Sequence, residues 1–158
     1  MKRRYLTATA ALVLVVAGAC SNDTTTKGKA EKSVVVAAAN HVCLTDAARL
    51  ATVQKDYHDR FAANPPTAAQ ATDFLTNEVS PALDATAAGM HEIPLPTNDR
   101  GAWDKALEGL DKQLKLRKDA ANADPISAIA LIPSIDPNAT SSVSQLFNTF
   151  GATQCKTL

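Results

Sequence analysis

Aromatic side chains make up only 4% of this 158-residue chain, and beyond residue 20 just six remain: Tyr57, Phe61, Phe74, Trp103, Phe147 and Phe150. A core assembled mostly from Ala, Leu, Ile and Val is modest in area, and a domain of this size gains from a covalent staple. No segment alternates apolar and polar residues with the period of a strand, and no internal repeat is present. Catalytic signatures are missing too. There is no G-x-S-x-G, H-E-x-x-H, P-loop or dinucleotide fingerprint, so no reactive constellation argues for an enzyme and none calls for a cofactor.

A charge imbalance is also lacking over the whole chain, which has 16 basic and 16 acidic residues. That balance includes Lys2, Arg3 and Arg4 at the extreme N-terminus. Without them 13 basic residues face 16 acidic ones, and from Ala38 onward 10 face 14, a net charge of −4. A domain with that sign has no electrostatic footprint for nucleic acid.

The N-terminus carries the most specific signal. Lys2-Arg3-Arg4 is followed by an uncharged run from Tyr5 to Ala19, the small residues Ala17-Gly18-Ala19, then Cys20 and Ser21. Fifteen uncharged residues fall short of the ~20 that cross a bilayer core, while a basic stretch, an apolar run and small residues are the parts of a secretory signal. The order resembles the signal peptide and lipobox of bacterial lipoproteins. That resemblance implies cleavage before Cys20, a diacylglyceryl thioether on its sulfur, and anchoring on the extracytoplasmic face of the cell membrane. The Ala/Thr-rich composition and the Ala17-Gly18-Ala19-Cys20 sequence suggest a high-GC Gram-positive, actinobacterial source. The expected organisation is a signal peptide over 1–19, a lipidated Cys20 with a polar tether over 20–37, and a domain over 38–158. Outside the cytoplasm the remaining pair, Cys43 and Cys155, is expected to form a disulfide, since no C-x-x-C or metal-site spacing competes.

From Val42 to Ala63 the apolar positions Cys43, Ala47, Leu50, Val53, Tyr57 and Phe61 follow helical spacing, and Asn64-Pro65-Pro66 stops the helix. Thr67 with Gln70 matches a capping box. The next stripe, Ala71, Phe74, Leu75, Val79, Ala82, Thr86 and Met90, contains Pro81, which predicts a kink or a restart at Ser80, with Gly89 as the stop. Met90 to Pro96 reads as a stiff connector. Thr97, Asn98 or Asp99 then caps a third helix bearing Trp103, Ala106, Leu107, Leu110, Leu114 and Ala121. Asp124-Pro125 and Asp136-Pro137 each read as a cap followed by proline at the first helical position. The second is expected to open a last helix with Val143, Leu146, Phe147, Phe150 and Gln154 inward. Four long helices running up and down bring Cys43 and Cys155 to one end, whereas an odd number would hold them about 30 Å apart. The expected fold is all-α, a four-helix bundle with one short extra helix, closed by that bridge at its membrane-side end.

Chemistry-bearing residues are sparse. Tyr57-His58-Asp59 invites a metal or proton-transfer reading, yet adjacent residues on a helix point about 100° apart, so Tyr57 faces in while His58 and Asp59 face water. His91-Glu92 could meet His58 only if the fold joined them, and no metal site is expected. Asp56 and Asp59, like Asp104 and Glu108, read as solubility charges. Asn138-Ala139-Thr140 matches a glycosylation sequon by chance. Ile126 to Ile135 is the most apolar stretch after the signal. It reads as core between two helices, or else as an exposed patch or pocket lip for an apolar ligand or partner protein. The leading functional expectation is a non-enzymatic interaction or envelope-structural module held to the membrane by Cys20. The alternative is a carrier for a small apolar molecule such as lipid or haem. Cys43 and Tyr57-His58 ahead of Asn64-Pro65 resemble some secreted actinobacterial haemophores, which implies Tyr57 and His58 as ligand-binding positions; His91 joins them as a candidate only through its conditional meeting with His58. Phe61 and the position of the second cysteine depart from that pattern.

Overall fold

Helices dominate the residues described by a computed structural model of the chain, namely 28–136, 141–156 and 158. The signal segment 1–19, Cys20 and the Asn138 sequon lie outside them. Helix α1 spans Lys32–Phe61, α2 Ala68–Phe74 and α3 Ser80–Glu92, with a π-helical turn at Leu75–Val79 joining the last two. Helix α4 (Arg100–Ala123), α5 (Pro125–Ala130), a 3-10 turn at Ile132–Ser134 and α6 (Ser142–Phe150) follow.

Helix α1 begins well before the Ala38 boundary drawn from the sequence. Val35 and Ala39 continue the four-residue spacing back from Cys43 and are fully buried, so the helix starts at Lys32 and shortens the expected 20–37 tether. By length and composition α1 could cross a membrane. It also presents Val35, Ala39, Cys43 and Val53 to the core, where they are buried. Just ahead of it, Lys29–Ala30 (β1) pairs in parallel with Leu95–Pro96 (β2), and the Thr97 amide donates to the Ala30 carbonyl at 2.9 Å. Strands this short leave no alternation to read.

Thr67 and Gln70 form the expected capping box, with Thr67 N–H donating to Gln70 Oε1 at 2.9 Å. A new α-helix does begin at Ser80, as Pro81 predicts, but Ser80 is its first residue rather than its cap, and a π turn precedes it. Ser80 N–H reaches back to the Leu75 carbonyl, and that wider turn takes up the carbonyl crowding proline creates. Gly89 is not the stop. It lies inside α3, where an added Cβ would come within 3.2 Å of Val42 Cγ1, so it lets α1 and α3 approach closely. Asp99 precedes α4 in a left-handed conformation (φ 59°) without capping it, and its carboxylate pairs with Lys32 at 2.7 Å. Asp124 caps α5 through Ser127, as its Asp-Pro pair suggests. The last helix instead starts at Ser142, where Ser141 Oγ accepts from Ser144 N–H at 2.9 Å; Asp136-Pro137 does not open it. Gln154 therefore falls beyond the helix.

Two apolar clusters form. One gathers Val35, Ala39, Met90, Trp103, Leu110, Phe147 and Phe150 around the Cys43–Cys155 disulfide, whose Cα atoms are 4.9 Å apart. Cys43 sits eleven residues after Lys32, so the bridge grips α1 about 16 Å from its start rather than at its tip. The other gathers Val53, Ala71, Phe74, Leu75, Ile129 and Ile132, flanked by Tyr57 and Phe61.

Candidate functional site: a cavity beside the π-helical turn

A cavity of about 280 Å³ opens beside the second apolar cluster, sharing Val53, Leu75 and Ile132 with it. Helix α1 contributes Leu50 and Val53, the π turn Leu75 and Val79, and α3 Ala82 and Leu83. Across from them stand Ala120 and Ala121 of α4, Ala128 of α5, and Leu131, Ile132 and Ile135 of the following turn. Four alanines sit where larger side chains would close the gap between helices. The volume approaches that of small-molecule sites and is nearly twice the ~150 Å³ that lets benzene into an engineered protein cavity.

The Ile126 to Ile135 segment resolves into both of its readings. Ile129 and Ile132 are buried, whereas Leu131 is 65% exposed and forms the lip. Gln54 of α1 holds this segment in place. Its side-chain amide donates to the Ile132 carbonyl at 3.1 Å and the Ile135 carbonyl at 3.0 Å.

The charged residues of the lining are Asp46, Arg117 and Lys118. Asp46 accepts a hydrogen bond from the buried Thr86 hydroxyl, whose oxygen also lies 3.1 Å from the Ala82 carbonyl. Arg117, exposed as a residue, has its guanidinium against the apolar wall. Burial pulls its pKa below the usual value and the charge of Asp46 opposes that fall. Lys118 pairs with Asp84 of α3. A second cavity of about 190 Å³ abuts the first along Leu75, Ser80, Lys118 and Ala121, and adds Thr72, Thr76, Asn122 and Pro125.

The residues singled out from the haemophore-like pattern lie elsewhere. Tyr57 joins an aromatic cluster, its ring 5.5 Å from Phe61 and 6.2 Å from Phe74, while His58 is exposed beside it. His91 follows Met90 of the disulfide-side core and meets Asp111 of α4 at 2.8 Å. None of the three lines the cavity, and among the described residues no group of three His, Cys, Asp or Glu side chains could hold a metal ion. The rim residues escape a reading that collects only apolar positions. Their signal was present: Asp46 falls between Cys43 and Leu50 on the inner stripe of α1, and Arg117 between Leu114 and Ala121 on that of α4. Polar residues at core register are where an apolar face opens. Compared with protein-family models, curated proteins and solved structures, the chain matches none of them.

Proposed function

We propose that this chain is a lipid-anchored, extracytoplasmic binding protein for a small apolar molecule, with Cys20 as the acylated residue and no catalytic step of its own. The observation that carries the binding role is the 280 Å³ cavity, whose lining is aliphatic apart from Ser80, Asp46, Arg117 and Lys118. Among the described residues its lining contains no His, Cys, Met or Tyr, which favours a lipid-like guest over haem. The anchor rests on the lipobox resemblance of residues 1–20. In this reading the architecture is an up-and-down four-helix bundle whose fourth span is divided between α5 and α6. Packing of α1 on α3, α3 on α4 and α4 on α6 supports it.

A second reading, an interaction module, draws support from α1, where Val34 and Leu44 are each 54% exposed. Uptake of the neutral fluorophore N-phenylnaphthylamine by the full chain in nanodiscs separates the two. Binding that disappears in Ala121→Phe, with Trp103 emission unchanged, is expected for the carrier. Equal signals from the two proteins would remove the binding role and leave the interaction module standing.

A further inference from the structure

The two abutting cavities differ in chemistry, and that difference specifies the guest. The larger is walled by aliphatic side chains. The smaller is lined by Thr72, Thr76, Ser80, Asn122 and Lys118 beside its apolar residues, and among the described residues no carboxylate lines it. Lys118 and Ser80 belong to both cavities, so a molecule whose tail fills the apolar one brings its other end to them. Resting on the binding role proposed above, we infer that the natural guest is a single-chain amphiphile with a carboxylate head, the tail in the apolar cavity and the head on Lys118, Ser80 and Thr76.

Three observations converge on an anionic head rather than a neutral or cationic one. Of the charged residues that line the apolar cavity, Lys118 alone also lines the polar one. Its partner Asp84 is 60% exposed in the side chain, so a guest carboxylate that takes its place sends Asp84 into water at little cost, because exposed ion pairs contribute little. Thr72 donates its hydroxyl hydrogen to the Ala68 carbonyl, so the remaining polar side chains lining this cavity besides Lys118 are those of Thr76, Ser80 and Asn122, each of which carries a donor. A carboxylate accepts from all of these at once, whereas an amine head would meet Lys118 as a like charge.

The π turn is what places polar groups here. In an uninterrupted α-helix Leu75 and Ser80, five residues apart, would point about 140° away from each other. The widened turn instead sets Leu75 and Ser80 on the seam between the two cavities, with Ser80 N–H bonded to the Leu75 carbonyl.

The test is displacement of bound N-phenylnaphthylamine from the full chain in nanodiscs by decanoate and by decanol, which share a tail length and differ at the head. Partitioning into the lipid cancels when one probe is compared across variants. Lys118→Met keeps the aliphatic stem and removes the charge; decanoate is expected to become about tenfold weaker, with decanol unchanged. Asp84→Asn frees Lys118 and is expected to strengthen decanoate several-fold, a gain that no loss of fold can imitate. Decanoate displacement that is the same in the native chain and in both variants overturns the head assignment while leaving the apolar cavity intact as a binding site. Failure of the fluorophore to distinguish the native chain from Ala121→Phe removes the binding role itself, and this inference with it.

Discussion

Gln54 gives both of its side-chain amide hydrogens to backbone carbonyls more than seventy residues away, at Ile132 and Ile135. Replacing it with Ala leaves those carbonyls without their donor. Each such bond contributes about 0.5–1.5 kcal/mol net, so Gln54→Ala should cost about 1–3 kcal/mol in urea unfolding and loosen the lip formed by Leu131. A midpoint within error of the native one would show that the turn is held by Ile129 and Ile132 burial alone. Asp124 offers a second check at this scale. The Ser127 hydroxyl, and after it the Ser127 amide, hold its carboxyl below the ordinary 3.8. A depressed folded value means the cap contributes fully above that ordinary value and is lost as pH falls through the lower folded one. An NMR titration of the Asp124 carboxyl should therefore give a midpoint below 3.8, and Ser127→Ala should move it back upward.

Helix α4 carries two glycines with opposite expected behaviour. At Gly101 an added Cβ meets nothing within 4 Å, so Gly101→Ala should stabilise by about 0.5–1 kcal/mol through helix propensity. At Gly109 the same atom would lie 3.0 Å from Leu146 Cδ1 and 3.6 Å from Val143 Cγ2 on α6. Gly109→Leu should force α4 and α6 apart and cost about 1–3 kcal/mol. Thermal unfolding of the pair tests whether the α4–α6 contact is as close as drawn, since a tolerated leucine would contradict it. The same contrast explains what was legible. Stripes such as Cys43, Leu50, Val53 and Phe61, and caps such as Thr67 with Gln70 or Asp124 with Ser127, depend on neighbours within one or two turns, and the sequence displays them. The π turn, the β1–β2 pairing and the start of α6 at Ser142 depend on what lies opposite. Pro81 announces a disturbance without saying that a wider turn will take it up. Asp136-Pro137 and Ser141 are equally plausible caps until α4 selects the face carrying Val143, Phe147 and Phe150. The cavity was half legible: its lip was suspected in Ile126 to Ile135, while Asp46 and Arg117 were overlooked as exceptions to an apolar pattern.

Across the whole molecule, the aromatic-poor core is asymmetric. Trp103, Phe147 and Phe150 pack on the disulfide side, with Trp103 rings 5.6 and 5.1 Å from the two phenylalanines. The cavity side relies on Phe74, isoleucines and alanines. Cys43 and Cys155 close a loop with a sequence separation of 112, for which restriction of the unfolded chain is worth about 4–5 kcal/mol. Reduction, or the double substitution Cys43→Ala with Cys155→Ala, should lower stability by about 2–5 kcal/mol, read from Trp103 emission during urea unfolding. An unchanged midpoint would mean that burial of Val35, Ala39 and Phe150 already fixes the C-terminal segment.

The position of that bridge also decides what proteolysis can release. Nearly the whole domain lies between Cys43 and Cys155, including the exposed link between α1 and α2 at Asn64-Pro65. A protease that nicks this link severs the backbone but frees neither piece, because the disulfide still ties the later helices to α1. Shedding the intact domain requires a cut on the N-terminal side of Cys43, and from Lys32 onward that stretch is helical and packed against the core. With Cys20 as the proposed anchor, a cut that released the whole domain would fall before Lys32, and a nick at Asn64-Pro65 would leave the two pieces joined by the disulfide.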